Sequence, residues 1–174
     1  MRGAGFTLWE LVCTLAVAGV VLGLTVPTFT EVMLDSRRTA DINALVLAVQ
    51  LARSEVAKRN RPVIVCATAD TSHCDGDAGR FELGWMVFVN LDDRYPPQRS
   101  ADEPLLYSHT PGLSGTIRSN RPYYEFRVRR RSINGTVIFC DRRGAVAARA
   151  VIVSYTGKPR VSERDADRRP LACA

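Results

Sequence analysis

The most prominent hydrophobic feature of the chain is an apolar run near its start. Residues 11–30 contain no charged side chain, and Glu10 stands directly before them. As an α-helix, these twenty residues would rise about 30 Å, which is the thickness of the hydrocarbon core of a bilayer. The pattern therefore predicts a membrane-spanning helix at residues 6–30.

The helix is predicted to continue beyond this run, because the next segment carries apolar residues at helical spacing. One apolar stripe consists of Ile42, Leu45, Val49, Ala52 and Val56, and polar and charged residues lie among the positions between them. It ends in a basic segment before Pro62, and both features suit the C-terminus of a helix. We expect one helix from Phe6 to about Asn60.

After Pro62 the pattern changes to short β-branched or aromatic runs bounded by Gly, Pro, Asn or Asp, which is typical of strands. Six strands are predicted: Val63–Ala67, Gly84–Asn90, Pro104–Tyr107, Tyr123–Val128, Gly135–Cys140 and Ala148–Tyr155. An antiparallel sheet laid on the helix would bury its apolar stripe. The expected fold class is α+β, with a long N-terminal helix and a β-rich head at residues 62–174.

Glu10 needs an explanation, because an ionisable residue in a membrane span is costly unless it finds a partner. One interpretation is an acid that simply reaches the interface. The alternative is a cleavage site at the small residues that follow Arg2 and end at Gly5. This site precedes the apolar run, whereas a secretory signal peptide is cleaved after its apolar run. Cleavage after Gly5 would create an amino group at Phe6, about one helical turn from Glu10. That amine, or the amine of a neighbouring subunit, would then pair with Glu10.

Charge is unevenly distributed along the chain, whose formal net charge is +6. From Arg118 to Arg169 there are fourteen Lys or Arg and five acids, whereas residues 1–117 hold ten bases and thirteen acids. Such asymmetry favours a polyanionic partner for the C-terminal part, either nucleic acid or an anionic surface. The alternative is a solvated basic face.

Four of the five cysteines follow the predicted helix: Cys66, Cys74, Cys140 and Cys173. They allow three disulfide connectivities, and distance along the chain favours Cys66 with Cys74, which leaves Cys140 with Cys173. A zinc site that uses His73 is the alternative, although the spacing from Cys66 to Cys74 matches no familiar zinc pattern. Disulfides would place the head in an oxidising compartment, the periplasm.

No catalytic constellation is evident, and neither a cofactor nor a metal is expected. His73 and His109 belong to no arrangement of nucleophile and base, and a lone histidine in a loop is usually solvated. Four acids could bracket a calcium ion but lack an EF-hand pattern, and we interpret them as a hydrophilic loop: Asp92, Asp93, Asp102 and Glu103. An enzyme is therefore not expected.

The N-terminal segment GFTLWELVCTLAVAGVVLGLTVPTF resembles the class III signal and first helix of type IV pilins and type II secretion pseudopilins. Gly5 would precede the cut, Phe6 would become the new N-terminus, and Pro27 would kink the helix. The resemblance implies a leader at residues 1–5, cleavage by a prepilin peptidase and N-methylation of Phe6. It also implies insertion of the helix into a filament core, with Glu10 acting in assembly.

Later segments resemble the FimT/GspH family of minor pilins over nearly the whole chain: ALVLAVQLARSEVAKRNRPVIVCA, GWMVFVN, VIFCDRRG and AVIVSYTGKPR. This implies a type IV pilin-like fold, with two small sheets on the helix and a disulfide-tethered tail. It also implies one pass through the inner membrane, a periplasmic half of the helix at residues 31–61 and a periplasmic head. After assembly into a pilus, the head would lie at the cell surface.

FimT proteins of transformable bacteria carry a Gly-Arg-x-Arg motif that is associated with DNA binding. The matching positions here are Gly157, Lys158, Pro159 and Arg160. Lys in the second position can contact phosphate but lacks the bidentate fork of Arg. Pro159 would keep the two cations in an extended segment. The departure favours contacts with the DNA backbone over reading of bases.

The resemblance therefore implies a minor pilin that binds double-stranded DNA without sequence preference during natural transformation. Beside Lys158 and Arg160, the predicted DNA-binding residues are Arg127, Arg129, Arg131, Arg142 and Arg143. Other pilins, the prepilin peptidase and the inner membrane are the further expected partners. Two alternatives stay open, namely a minor pseudopilin of type II secretion and a purely structural minor pilin that primes pilus assembly.

Overall fold

The computed structural model describes residues 5, 7–76, 79–128 and 132–173. Three predicted site residues, Phe6, Arg129 and Arg131, lie outside the described residues. The chain divides into two units, residues 1–36 and residues 37–174. The second unit contains nearly all of the buried apolar residues and both disulfides.

One α-helix, α1, covers Leu8–Arg59, which confirms the predicted long helix. Its first turn is closed by a reciprocal capping box between Thr7 and Glu10. The Glu10 N–H donates to Thr7 Oγ1 at 3.3 Å, and the Thr7 N–H donates to Glu10 Oε2 at 3.0 Å, so two otherwise unpaired donors are satisfied. At the other end Asn60 has φ of 52° and donates to Val56 O, which is a left-handed cap.

The apolar run at residues 11–30 predicts a membrane span, but the helices of the structure give a different result. Within the part of the chain that the structure describes, no helix is sufficiently long and apolar to cross a membrane.

Among its described residues, the second unit combines the C-terminal half of α1 with eight strands in two antiparallel sheets of four. The first sheet has the order β3-β2-β1-β5, with β1 at Val63–Ala67, β2 at Trp85–Val89, β3 at Leu105–His109 and β5 at Tyr123–Phe126. The second has the order β4-β6-β7-β8, with β4 at Gly115–Ser119, β6 at Gly135–Asp141, β7 at Arg149–Val153 and β8 at Pro159–Ser162. Short 3₁₀ turns occupy Phe81–Leu83 and Gly144–Val146.

The main core lies between α1 and the inner faces of both sheets. All five residues of the predicted apolar stripe are buried in it. Leu45 and Val49 of α1 share this core with Val65 of the first sheet and with Phe139 and Val151 of the second. Burial of this stripe is what joins the helix to the sheets, because each fully buried aliphatic side chain contributes about 1.5–3 kcal/mol.

A disulfide ties an irregular segment to each sheet. Cys66 of β1 is joined to Cys74, and Cys140 of β6 is joined to Cys173. Both pairings are those that chain distance favours, and they leave no thiolate of these four residues for the alternative zinc site. On the outer face of the second sheet, Leu171 packs in one buried cluster with Ala150 and the disulfide-bonded Cys140. The C-terminal tail is therefore held on that face.

The sequence context of His109 suggested a solvated loop residue, and this interpretation was wrong. It ends β3, and its Nε2 lies 2.8 Å from Oδ1 of the buried Asp41 in α1. Its ring also lies 4.5 Å from that of Trp85. Asp41 accepts further hydrogen bonds from the N–H groups of Gly112 and Leu113, so this carboxylate fastens the loop after β3 to the helix.

The acidic loop is organised by protein donors. Glu103 is 2% exposed, and its two carboxylate oxygens accept from the Leu91 N–H at 2.6 Å and the Ser100 N–H at 2.9 Å. The carboxylate therefore closes the loop after β2. Among the residues that the structure describes, no group of three or more His, Cys, Asp or Glu could hold a metal ion.

Candidate functional site

The predicted processing and assembly residues lie at the start of α1. Gly5 is exposed, and nothing lies within 4 Å of the position that a Cβ would take there. Glu10 is exposed and already has a local partner, because Thr7 donates to its carboxylate from both the backbone and the hydroxyl. The pattern Thr-x-x-Glu before an apolar run signals this capping box in the sequence. Phe6, whose amine was the expected partner, is not among the described residues.

The motif Gly157-Lys158-Pro159-Arg160 lies in the hairpin between β7 and β8. The Gly157 N–H donates to Ser154 O at 2.8 Å, and the Ser154 N–H donates to Lys158 O at 3.1 Å. Gly157 has φ of 72°, a conformation that glycine adopts without steric cost. A Cβ at this position would lie 2.9 Å from Ser132 Oγ and 3.0 Å from Cε1 of Phe126. The motif's glycine therefore serves both the turn and its close packing.

Hydroxyl groups brace the same loop. The Ser154 and Thr156 hydroxyls lie 2.9 Å apart, and the Lys158 N–H donates to Ser154 Oγ at 3.2 Å. Pro159 then begins β8, where its lack of an N–H is tolerated because β8 is an edge strand. The backbone that carries the two cations is therefore fixed before any ligand binds.

Strand register places Lys158 and Arg160 on one side of the hairpin. Arg160 pairs with Ile152, and Lys158 is hydrogen-bonded to Ser154, two positions further along. Alternate residues of a strand share a face, and Ile152 belongs to the cluster on the outer face of the second sheet. Both cations are exposed on the side that faces away from α1.

Several of the described bases in this part of the chain are paired with acids. Five of the eleven Lys and Arg residues that the structure describes between residues 118 and 169 pair with an acid, as in Arg118–Glu82, Arg127–Glu125, Arg143–Asp141, Arg149–Glu163 and Arg169–Asp167. By contrast, the side chains of Lys158, Arg160 and Arg142 make no ion pair or hydrogen bond with the described residues. The regional excess of positive charge is therefore available mainly at a few positions.

Arg142 and Arg143 are distant from the hairpin. Gly135 at the start of β6 is in register with Val153 and Pro159, and Arg142 follows seven positions later, roughly 23 Å along the strand direction. Arg143 is bound to Asp141 through its backbone N–H, Nε and Nη2. These contacts lower the pKa of Asp141 below its usual value. Arg143 thus positions the turn after β6 and is poorly available to a ligand.

Arg127 lies near the hairpin but is committed to two acids. Its guanidinium is 2.8 Å from Glu125 and 3.0 Å from Asp93. The preceding Phe126 is the residue that Gly157 packs against. Arg129 and Arg131 are not among the described residues, although the segment that follows them returns to the hairpin, where the Ser132 N–H donates to Tyr155 O at 3.0 Å. Of the seven predicted DNA-binding residues, only Lys158 and Arg160 are seen together, exposed and unpaired.

Tyr155 was predicted as the last residue of a strand, but β7 ends at Val153. In the structure its side chain lies in the hairpin loop and is 58% exposed.

Comparisons with known proteins agree with this architecture. The sequence model of one family, described as the type II transport protein GspH, matches residues 41–157. No curated protein matches the chain in sequence. The family match ends at Gly157, so Lys158 and Arg160 lie just beyond it.

Solved structures of the type IV minor pilin FimU from Pseudomonas aeruginosa strain PAO1 share the fold. One crystal form has a TM-score of 0.55 at 17% identity and covers 80% of this chain and 99% of FimU. A second form has a TM-score of 0.53 at 20% identity and covers 84% and 99%. The fold is therefore type IV pilin-like, with a long N-terminal helix packed on antiparallel sheets.

Proposed function

The chain belongs to the GspH family of type II transport proteins, and from this premise we propose that it is a minor pilin of a type IV pilus that binds double-stranded DNA. The phosphate backbone is the proposed ligand, and DNA uptake in natural transformation is the proposed role. The observation that carries the proposal is the pair of exposed, unpaired cations, Lys158 and Arg160, on one side of a braced hairpin.

The N-terminal segment supplies the assembly part of the proposal. A prepilin peptidase would cleave after Gly5, and the new, methylated amine of Phe6 would pair with Glu10. The N-terminal part of α1 would hold the subunit at the inner membrane, with the head in the periplasm, until other pilins incorporate it into a filament. The head would then reach the cell surface.

Binding would be driven electrostatically. Each phosphate that a cation neutralises releases condensed counterions, so the logarithm of affinity falls linearly with the logarithm of salt, by about 0.9 per contact. Lys158 and Arg160 form such contacts without first breaking an ion pair. Because neither side chain is held in a bidentate geometry by neighbours, the surface contacts phosphates without selecting bases.

The test is a salt titration of binding to a 20-base-pair duplex, using the full chain in detergent micelles. Replacing Lys158 and Arg160 together by Gln should weaken binding at low salt and reduce the salt slope by about 1.8. The matched control is Arg37→Gln with Arg53→Gln, which removes two exposed charges from α1. Equal losses in both variants would show an effect of net charge alone, and absence of wild-type binding at low salt would reject the proposal.

A minor pseudopilin of type II secretion is the second candidate, because the family description favours it. A deletion strain separates the two roles. Loss of transformation with normal secretion of exoproteins is expected for the DNA-binding pilin. Loss of secretion with normal transformation would assign the chain to the secretion machinery, and loss of pili alone would indicate a purely structural minor pilin.

A further inference from the structure

We propose that Arg61, in the short link between α1 and β1, is a further phosphate contact for the DNA that Lys158 and Arg160 bind. This inference rests on the DNA binding proposed above and adds a contact that is far from the hairpin in sequence. Arg61 is exposed, and its side chain makes no ion pair or hydrogen bond with the described residues.

The charge of Arg61 is not used by the fold that the structure describes. The two bases before it are used, because Lys58 and Arg59 lie 2.9 and 2.6 Å from the carboxylate of Glu55. Arg61 follows them at the end of α1 but contacts neither that acid nor a helix carbonyl. Its guanidinium is therefore available to a ligand without the loss of an existing interaction.

The backbone that carries Arg61 is fixed on both sides. The Asn60 N–H donates to Val56 O at 3.0 Å, and the buried Pro62 accepts the Asn90 N–H at 2.9 Å through its carbonyl oxygen. A residue before proline is also restricted to extended conformations. Binding therefore costs conformational entropy of the Arg61 side chain, but not of its backbone.

Strand register places Arg61 at the same end of the second unit as the hairpin. Val63, two residues after Arg61, pairs with Phe126, whose ring closely approaches the position of a Cβ at Gly157. Paired strand residues lie about 5 Å apart, and two residues of chain span at most about 7 Å. The backbone of Arg61 therefore lies within roughly 25 Å of the hairpin, which is less than one turn of a duplex, about 34 Å. One duplex can contact both places.

Arg61 also lines an open hollow of about 260 Å³, together with Asn60, Pro62, Asp93, Arg127 and Val128. Asp93 would repel a phosphate, but its carboxylate lies 3.0 Å from the guanidinium of Arg127, which offsets its charge. Arg127 is thus occupied by this acid. Arg61 is the base of this hollow that can bind a phosphate without breaking an ion pair.

The experiment is the salt titration with the 20-base-pair duplex, using the full chain in detergent micelles. Arg61→Gln should weaken binding by about five- to tenfold at 0.1 M salt and lower the salt slope by about 0.9. Arg61→Lys keeps a charge that can contact phosphate and should bind within about twofold of the wild type. The matched control is Arg53→Gln, which removes another exposed, unpaired charge of α1 and should change affinity by less than about twofold. Thermal melts check that each variant is folded.

The outcomes separate this inference from the proposed function. Arg61→Gln combined with Lys158→Gln and Arg160→Gln should lower the salt slope by about 2.7. If the double variant of the hairpin weakens binding while Arg61→Gln binds as the wild type does, the inference is wrong and DNA binding stands. Equal losses in Arg61→Gln and Arg53→Gln would show an effect of net charge and overturn the inference. If the wild type does not bind the duplex at low salt, both proposals fail.

Discussion

At the scale of single residues, Gly157 links the fold to the proposed function. Its φ of 72° and the close approach of Phe126 and Ser132 leave no room for a side chain. We predict that Gly157→Ala lowers the free energy of unfolding by about 1–3 kcal/mol, the usual cost of a left-handed non-glycine residue. It should also weaken DNA binding although every charge remains, because the tip must shift.

Chemical denaturation and the duplex titration measure these two effects. Gly112→Ala is the matched control, since nothing lies within 4 Å of a Cβ built there and its φ is not in the left-handed region. A Gly157→Ala variant with normal stability and normal affinity would contradict the view that the tip is preorganised.

Asp141 gives a prediction about pH. Its side chain is fully buried, and it accepts from Arg143 at 2.7 Å and lies 3.5 Å from the buried Arg38 of α1. The hydrogen bonds from Arg143 lower the pKa of Asp141, so its contribution to stability is present above the unfolded pKa of about 3.9 and is lost as pH falls through the lower folded value.

Asp141→Asn should therefore destabilise the protein by about 3–5 kcal/mol at pH 7, because it removes the charge of the buried carboxylate that pairs with Arg38 and Arg143. The difference from the wild type should shrink as the pH drops below about 4. Unfolding curves measured between neutral and acidic pH provide the test, with the exposed Asp102→Asn as control. A difference that does not depend on pH would refute the assigned cause.

At the scale of elements, the two disulfides are expected to differ in their effects. Cys140–Cys173 closes a longer stretch of chain than Cys66–Cys74, with sequence separations of 33 and 8. By loop-closure entropy, removing the first by a double Ser substitution should cost about 3.7 kcal/mol and removing the second about 2.5 kcal/mol. Urea denaturation of the two variants compares them directly, and the reverse order would show that packing of the tail matters less than packing of the short loop.

The elements also show what the sequence could predict. The helix was predictable because its stripe repeats at helical spacing over five positions, all of which are buried. Strands β4 and β8 were missed because their residues resemble those of loops: β4 begins at a glycine and contains three polar residues, and β8 begins at a proline and contains an arginine and a serine. Each has one unpaired edge in the second sheet, where proline and charged residues are tolerated.

The candidate site was predictable to a smaller degree. Charge counts and the Gly-Lys-Pro-Arg motif led to Lys158 and Arg160, but residue type alone does not reveal partners. Arg143 and Arg127 look equally available in the sequence, whereas each is held by an acid in the structure. The contact between His109 and Asp41 joins residues 68 positions apart, and no local pattern encodes such a pairing.

At the scale of the whole molecule, the proposed assembly would depend on what Glu10 does after the proposed cleavage. In the uncleaved chain its carboxylate caps α1 through Thr7, while the proposed filament contact needs its charge for the Phe6 amine. The two roles can be separated by two substitutions. Glu10→Gln keeps an oxygen that can complete the capping box but has no charge, and Thr7→Val removes the capping hydroxyl but leaves the charge.

We predict that cleavage after Gly5 proceeds in both variants and in Glu10→Ala, since the carboxylate is not at the scissile bond. Incorporation into filaments should fall strongly in Glu10→Gln and Glu10→Ala and only slightly in Thr7→Val, because an unpaired ammonium in an apolar filament core is costly. Mass spectrometry of the subunit measures cleavage, and immunoblots of sheared filaments measure incorporation. Normal incorporation of Glu10→Gln together with loss in Thr7→Val would mean that Glu10 acts only as a helix cap.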